Sequence, residues 1–69
     1  MAKFLIDSPR VHQWPISGTA EQAITFGRSQ VYLPDAEIAE HLQRLKAGRP
    51  TMWSYGLSYL DITPQLENT

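Results

Sequence analysis

The sequence predicts an α+β domain, in which a small antiparallel sheet carries one amphipathic helix packed on it and an extended N-terminal arm. Three observations carry that expectation. Apolar Ile38, Leu42 and Leu45 recur at helical spacing, with Pro34 before them and Gly48 and Pro50 after them. Trp53, Tyr55, Leu57 and Tyr59 alternate with Ser54, Gly56 and Ser58, the period of a strand. Between Ser8 and Gln22 the chain holds Pro9, Pro15 and Gly18, with Val11, Trp14 and Ile16 at no regular spacing, the pattern of an arm or long loop.

Taken in order, Phe4-Leu5-Ile6 between Lys3 and Asp7 reads as a strand over residues 3–7, stopped at Ser8-Pro9. Residues 8–22 follow as the arm. Ile24 and Phe26, then Gly27-Arg28-Ser29, then Val31 and Leu33 read as a hairpin of strands 23–26 and 30–33 turning at Gly27. The helix is placed at 34–47. Pro34 opens it, Asp35 and Glu37 complement its N-terminal dipole, Arg44 and Lys46 its C-terminal one, and Gly48 supplies a left-handed cap. The last strand spans 52–60, with Tyr55, Leu57 and Tyr59 expected to pack on Ile38, Leu42 and Leu45. Residues 61–69, with Pro64 and no periodicity, read as a polar tail.

Composition bounds what such a domain can be. The chain has 69 residues, no cysteine, 19% charged residues and a formal net charge of -1. That is one domain, and its core is thin: Leu, Ile, Val and Phe together supply 16 residues. A domain of this size buries only about 60% of the surface its unfolded chain exposes, and its peers often lean on disulfides, a metal or a partner chain. With no cysteine and no metal-ligand spacing, a partner chain is the expected source of the missing burial. Balanced charge argues against nucleic acid as the partner. No apolar run approaches the roughly 18 residues of a membrane span, so the expectation is synthesis in the cytoplasm without a membrane partner.

Candidate chemistry is sparse. His12 and His41 have no third ligand at a metal spacing, so no metal or other cofactor is expected; His41 follows Glu37 by four residues, as Arg44 follows Glu40, and both read as surface pairs on the helix. Seven carboxylates are available for acid-base work, but a thin domain offers little volume in which to desolvate them, and no serine-elbow or phosphate-loop motif is present. The expectation is a protein that is not an enzyme. Arg44, Lys46 and Arg49 form the one local basic cluster and could touch phosphate; two of them also serve the helix dipole. Val11, Trp14, Ile16 and Trp53 are the candidate partner-binding residues, because tryptophans beside prolines and helix exits are hard to bury at home and anchor interfaces well.

The stretch from Phe26 to Glu37, Phe-Gly-Arg-Ser-Gln-Val-Tyr-Leu-Pro-Asp-Ala-Glu, followed by a helix ending Leu45-Lys46-Ala47-Gly48, resembles small proteins encoded among bacteriophage head and tail genes. The likeness covers about 23 of the 69 residues; the helix here is longer, and neither the arm nor the aromatic strand has a counterpart. What it implies is a virion role without catalytic residues, such as capsid decoration or head assembly. The functional expectation is therefore a non-enzymatic structural subunit that binds a larger protein assembly, such as a capsid protein, or copies of itself. A small inhibitory or regulatory protein that caps a host enzyme is the alternative, and a single-stranded nucleic-acid-binding module the third.

Overall fold

The computed structural model describes residues 2–65. In chain order it comprises β1 (Ala2–Asp7), β2 (Trp14–Gly18), α1 (Ala20–Gln30), α2 (Asp35–Lys46), β3 (Thr51–Tyr55) and β4 (Ser58–Gln65). The strands make one antiparallel sheet in the order β2-β1-β4-β3, so the fold is α+β with two helices rather than one.

Alternation along the strands explains which face the helices cover. Phe4 and Ile6 of β1, Leu60 and Ile62 of β4, and Thr51 and Trp53 of β3 are buried on one side. Against them lie Ala20, Ala23, Ile24 and Gly27 of α1, Val31 and Leu33 of the connection, and Leu45 of α2, with Ile38 and Leu42 partly buried beside them. Ile6, Leu33, Leu60 and Ile62 are the largest fully buried side chains, each worth about 1.5–3 kcal/mol of burial. The opposite face carries Leu5, Asp7, Met52, Ser54, Tyr59, Asp61 and Thr63; no helix lies on it, and at Asp7 it is covered by the turn residues His12 and Gln13.

Residues 23–33 correct the expectation of a hairpin at Gly27. Thr19 caps α1: the Gln22 backbone N–H donates to Thr19 Oγ1 at 3.1 Å, and the Thr19 N–H donates to Gln22 Oε1 at 2.8 Å. Buried Ala20, Ala23, Ile24 and Gly27 then fall at i, i+3, i+4 and i+7, one helical stripe. Gly27 is present because α1 lies against Trp53 and Leu60, not because the chain turns.

The arm is corrected too. Residues 14–18 form β2, an edge strand on β1, and residues 20–22 are the first turn of α1. The link between β1 and β2 is an ordered turn: Ser8 Oγ accepts from the N–H groups of Arg10 and Val11, and the Asp7 carboxylate accepts from the Gln13 N–H at 2.9 Å. The last expected strand is a hairpin, β3 and β4 joined by Gly56-Leu57. Gly56 has φ +62° while Leu57 does not take a positive φ, the pattern of a type II′ turn with glycine first. Of the supposed polar tail, residues 61–65 belong to β4 beside β1, and 66–69 lie outside the described residues.

α2 closely follows its sequence signals, with Pro34 as the N-cap instead of the first helical residue. At its end the Arg49 N–H reaches the Arg44 carbonyl at 2.9 Å and the Gly48 N–H the Leu45 carbonyl at 3.0 Å, a Schellman closure with Gly48 at φ +78°. A side chain there meets open space, so only the backbone conformation is at stake. Gly48→Asn is expected to cost a few tenths of a kcal/mol and Gly48→Val about 1–2 kcal/mol in urea denaturation. The helices form an antiparallel pair tied at both ends, Arg28 to Asp35 at 2.6 Å and Glu21 to Lys46 at 3.0 Å, each bridge exposed and screened by solvent, so that it adds little to stability.

Candidate protein-binding surface

The four residues singled out in sequence do not form one surface: Trp14 and Ile16 lie on β2 at one edge of the sheet and Trp53 on β3 at the other. Trp53 is inside: 6% exposed, its Nε1–H donates to the Val31 carbonyl at 3.0 Å and its ring lies 5.0 Å from that of His41. The expectation that a tryptophan at a helix exit resists burial in its own domain fails because α1, unseen in sequence, provides the second wall. Val11 and Ile16 are half-buried against the core. Trp14 stands apart on the β2 edge at 52% exposure.

The exposed apolar side chains gather elsewhere. Tyr55 and Tyr59, expected in the core, are 63% and 40% exposed, and Leu57 between them is fully exposed at the hairpin tip. Tyr59 pairs with Ser54 on the outer face of the sheet, away from α2, and Tyr55, next to the turn, lies against Tyr32 instead. Met52, on the outer face of β3, is exposed, and Tyr32 stands beside the hairpin with its ring edge-on to Tyr55 at 5.1 Å. Tyr32, Met52 and Leu57 were missed in sequence; a glycine followed by Leu inside an aromatic alternation is the signal that places Leu57 at a tip.

Around the other end of β3 lies an open cleft of about 390 Å³, bordered by Asp7, Arg44, Pro50, Thr51, Met52, Asp61 and Thr63. Asp7 and Asp61 face one another in cross-strand register. The Gln13 N–H, with His12 Nδ1 3.0 Å away, holds the Asp7 carboxyl below its ordinary range. That is opposite to the upward shift a general acid needs. The basic cluster is divided: Arg44 donates to Glu40 at 2.7 Å and to Thr51 at 3.4 Å, and Lys46 pairs with Glu21, whose carboxyl it lowers. Among the described residues no three His, Cys, Asp or Glu side chains are grouped to hold a metal, and no helix is long and apolar enough to cross a membrane.

His41 corrects the expected surface pair with Glu37. It is buried, hydrogen-bonded through Nδ1 to Thr51 Oγ1 and stacked at a tilt on Trp53. Burial, then the charge of Arg44, lowers its pKa against the weaker opposing pull of Glu40 and Glu37. The unfolded chain therefore takes up this proton first as pH falls. Stability from neutral His41 is complete above the ordinary histidine value of 6.5 and is lost as pH drops through the lower folded value. Urea midpoints measured from pH 7.5 downward should fall through this window, and His41→Gln should flatten that part of the curve. An unchanged slope would place the acid sensitivity on other groups.

Comparison with protein-family models, curated proteins and solved structures finds no match.

Proposed function

We propose that the chain is a non-enzymatic protein-binding structural subunit whose contact surface is the β3–β4 hairpin with Tyr32, flanked at the opposite sheet edge by Trp14. The observation that carries this reading is the exposure of Tyr32, Met52, Tyr55, Leu57 and Tyr59 around one hairpin, Met52 and Tyr59 on the outer face of the sheet, Tyr55 with Tyr32 on the helix side and Leu57 at the tip. Patches of that kind on small proteins mark places where another protein docks. A larger protein assembly fits better than nucleic acid, because two of the three clustered cations already face carboxylates. The resemblance of residues 26–48 to phage head and tail accessory proteins makes a virion the setting proposed, in capsid decoration or head assembly.

A photo-crosslinking side chain placed at Leu57, and separately at Trp14, tests this in the protein's native context. Crosslinks to one repeating structural protein are expected. Crosslinks confined to a single enzyme would favour an inhibitory role, and none from either position would overturn the reading. Leu57→Ala and Trp14→Ala should each weaken partner binding about thirtyfold, the effect of losing an anchor worth 2 kcal/mol, and leave the melting temperature within a few degrees.

A further inference from the structure

The sheet has two edge strands, and they are not alike. A two-residue loop closes on a hydrogen-bonded pair, here Tyr55 and Ser58, and bonded and non-bonded pairs then alternate along the hairpin. Thr51, Trp53 and Tyr55 therefore direct their backbone groups to β4, and those of Met52 and Ser54 point outward. Carrying the same alternation through β4 and β1 accounts for both prolines. Pro64 aims its nitrogen at the place beyond Thr51 where β3 has no residue. Pro15, opposite Leu5, aims its nitrogen outward from β2. The β2 edge thus lacks a donor at a position where an added strand needs one. The β3 edge, Thr51-Met52-Trp53-Ser54-Tyr55, has both donors and carries no proline, glycine or charge, the devices that ordinarily blunt an edge.

We propose that β3 pairs antiparallel with β3 of a second copy of this chain, about a two-fold axis at Trp53, joining two four-stranded sheets into one of eight. This rests on the reading of the chain as a protein-binding subunit and names one partner for the hairpin. Three features fit a second copy better than a foreign strand. The outward groups of Met52 and Ser54 lie symmetrically about Trp53, so Met52 meets the partner's Ser54 and Ser54 the partner's Met52, with four backbone hydrogen bonds and a large side chain opposite a small one each time. Pro50 and the turn at Gly56-Leu57 stop the ladder at both ends, which fixes its register. The strand also carries complementary ends. In this register Arg49 falls opposite the partner's Leu57 and diagonal to the partner's Tyr55. Arg49 makes no side-chain hydrogen bond or ion pair among the described residues, so its guanidinium is free to lie on the aromatic pair that Tyr55 forms with Tyr32. The two Arg49 side chains sit at opposite ends and do not repel.

Sedimentation equilibrium on the purified chain, with amide hydrogen exchange over a concentration series, tests the pairing. Expected are a mass twice the 7.8 kDa of the chain at tens of micromolar and slowed exchange at Met52 and Ser54 that grows with concentration. Ser54→Pro removes an outward donor that the chain's own sheet does not use, and should weaken dimerisation at least about tenfold; Arg49→Ala removes one exposed cation–π contact at each end and should weaken it about tenfold as well. A monomer at every concentration, or a dimer in which the Met52 and Ser54 amides exchange freely, would overturn the proposal. Because the exchange measurement uses the unaltered chain, it decides the question even where Ser54→Pro disturbs folding. A monomer that still crosslinks through Leu57 to another protein would remove this pairing and leave the protein-binding reading standing. A dimer that crosslinks to nothing else would do the reverse for the larger assembly.

Discussion

Trp53→Ala is expected to remove most of the fold's stability. Truncating a buried aromatic of this size costs about 3–5 kcal/mol, and at the usual 0.05–0.15 kcal/mol per residue a chain this short has roughly 3–10 kcal/mol in total. The loss has two parts. The ring fills the space between Gly27 of α1, His41 of α2 and Leu60 of β4, and its Nε1–H satisfies the Val31 carbonyl where the chain leaves α1. Trp53→Phe separates them. It keeps much of the ring and orphans the carbonyl, so it should cost about 1–3 kcal/mol plus a smaller cavity term. Urea denaturation followed by circular dichroism measures both. If either variant unfolds within about 0.5 kcal/mol of the original, Trp53 is not part of the core.

Gly27→Val is expected to be nearly as damaging. A Cβ at this position would lie 2.7 Å from Leu60 Cδ2 and 2.8 and 2.9 Å from Trp53 Cη2 and Cζ2. Leu60 is fully buried and the tryptophan ring is pinned by its hydrogen bond, so neither can step aside cheaply. Overpacking of this kind costs about 1–3 kcal/mol, and a branched side chain falls at or above the upper end. Gly27→Ala is the informative companion. Replacing a helical glycine by alanine gains about 1 kcal/mol of propensity, which the clash must exceed for the variant to be destabilised. A melting temperature lowered by several degrees is the expected sum. A raised one would show that α1 can back away from the sheet.

α2 was legible because its signals agree: Pro34, the acidic first turn, the Ile38-Leu42-Leu45 stripe, the basic last turn and Gly48 all point to one helix. α1 was not, because its buried face is made largely of Ala20, Ala23 and Gly27, which carry little hydrophobic signal, while Ile24, Phe26, Val31 and Leu33 mimic a strand alternation across a false turn. The readable clue was the Thr19-x-x-Gln22 capping box. β2 hid behind Pro15, which an edge strand tolerates. The β3–β4 turn hid inside an unbroken aromatic alternation: across Gly56-Leu57 the inward positions change from odd, Thr51 and Trp53, to even, Leu60 and Ile62, while the large residues in sequence stay at odd positions through Tyr59. The exposed surface suffered from the same misreadings. Trp53 could be assigned to the outside only as long as α1 was missing, and Tyr55 and Tyr59 to the inside only as long as one strand ran through Gly56.

The two strands at the centre of the sheet, β1 and β4, come from opposite ends of the described chain, with Lys3 beside Gln65 and Asp7 beside Asp61. During synthesis β1 emerges well before its inner partner β4. At roughly 5–20 residues per second the interval is about 3–10 s. Over that time β1 has only β2 as a partner in the sheet, and a lone two-stranded ribbon is marginally stable in water. Among the described residues no segment before β4 can complete the sheet. The helix pair can form and fray, but the layer it must cover does not exist until β4 arrives, so nascent chains ending before about residue 61 should remain open to protease and completed ones should close in a single cooperative step.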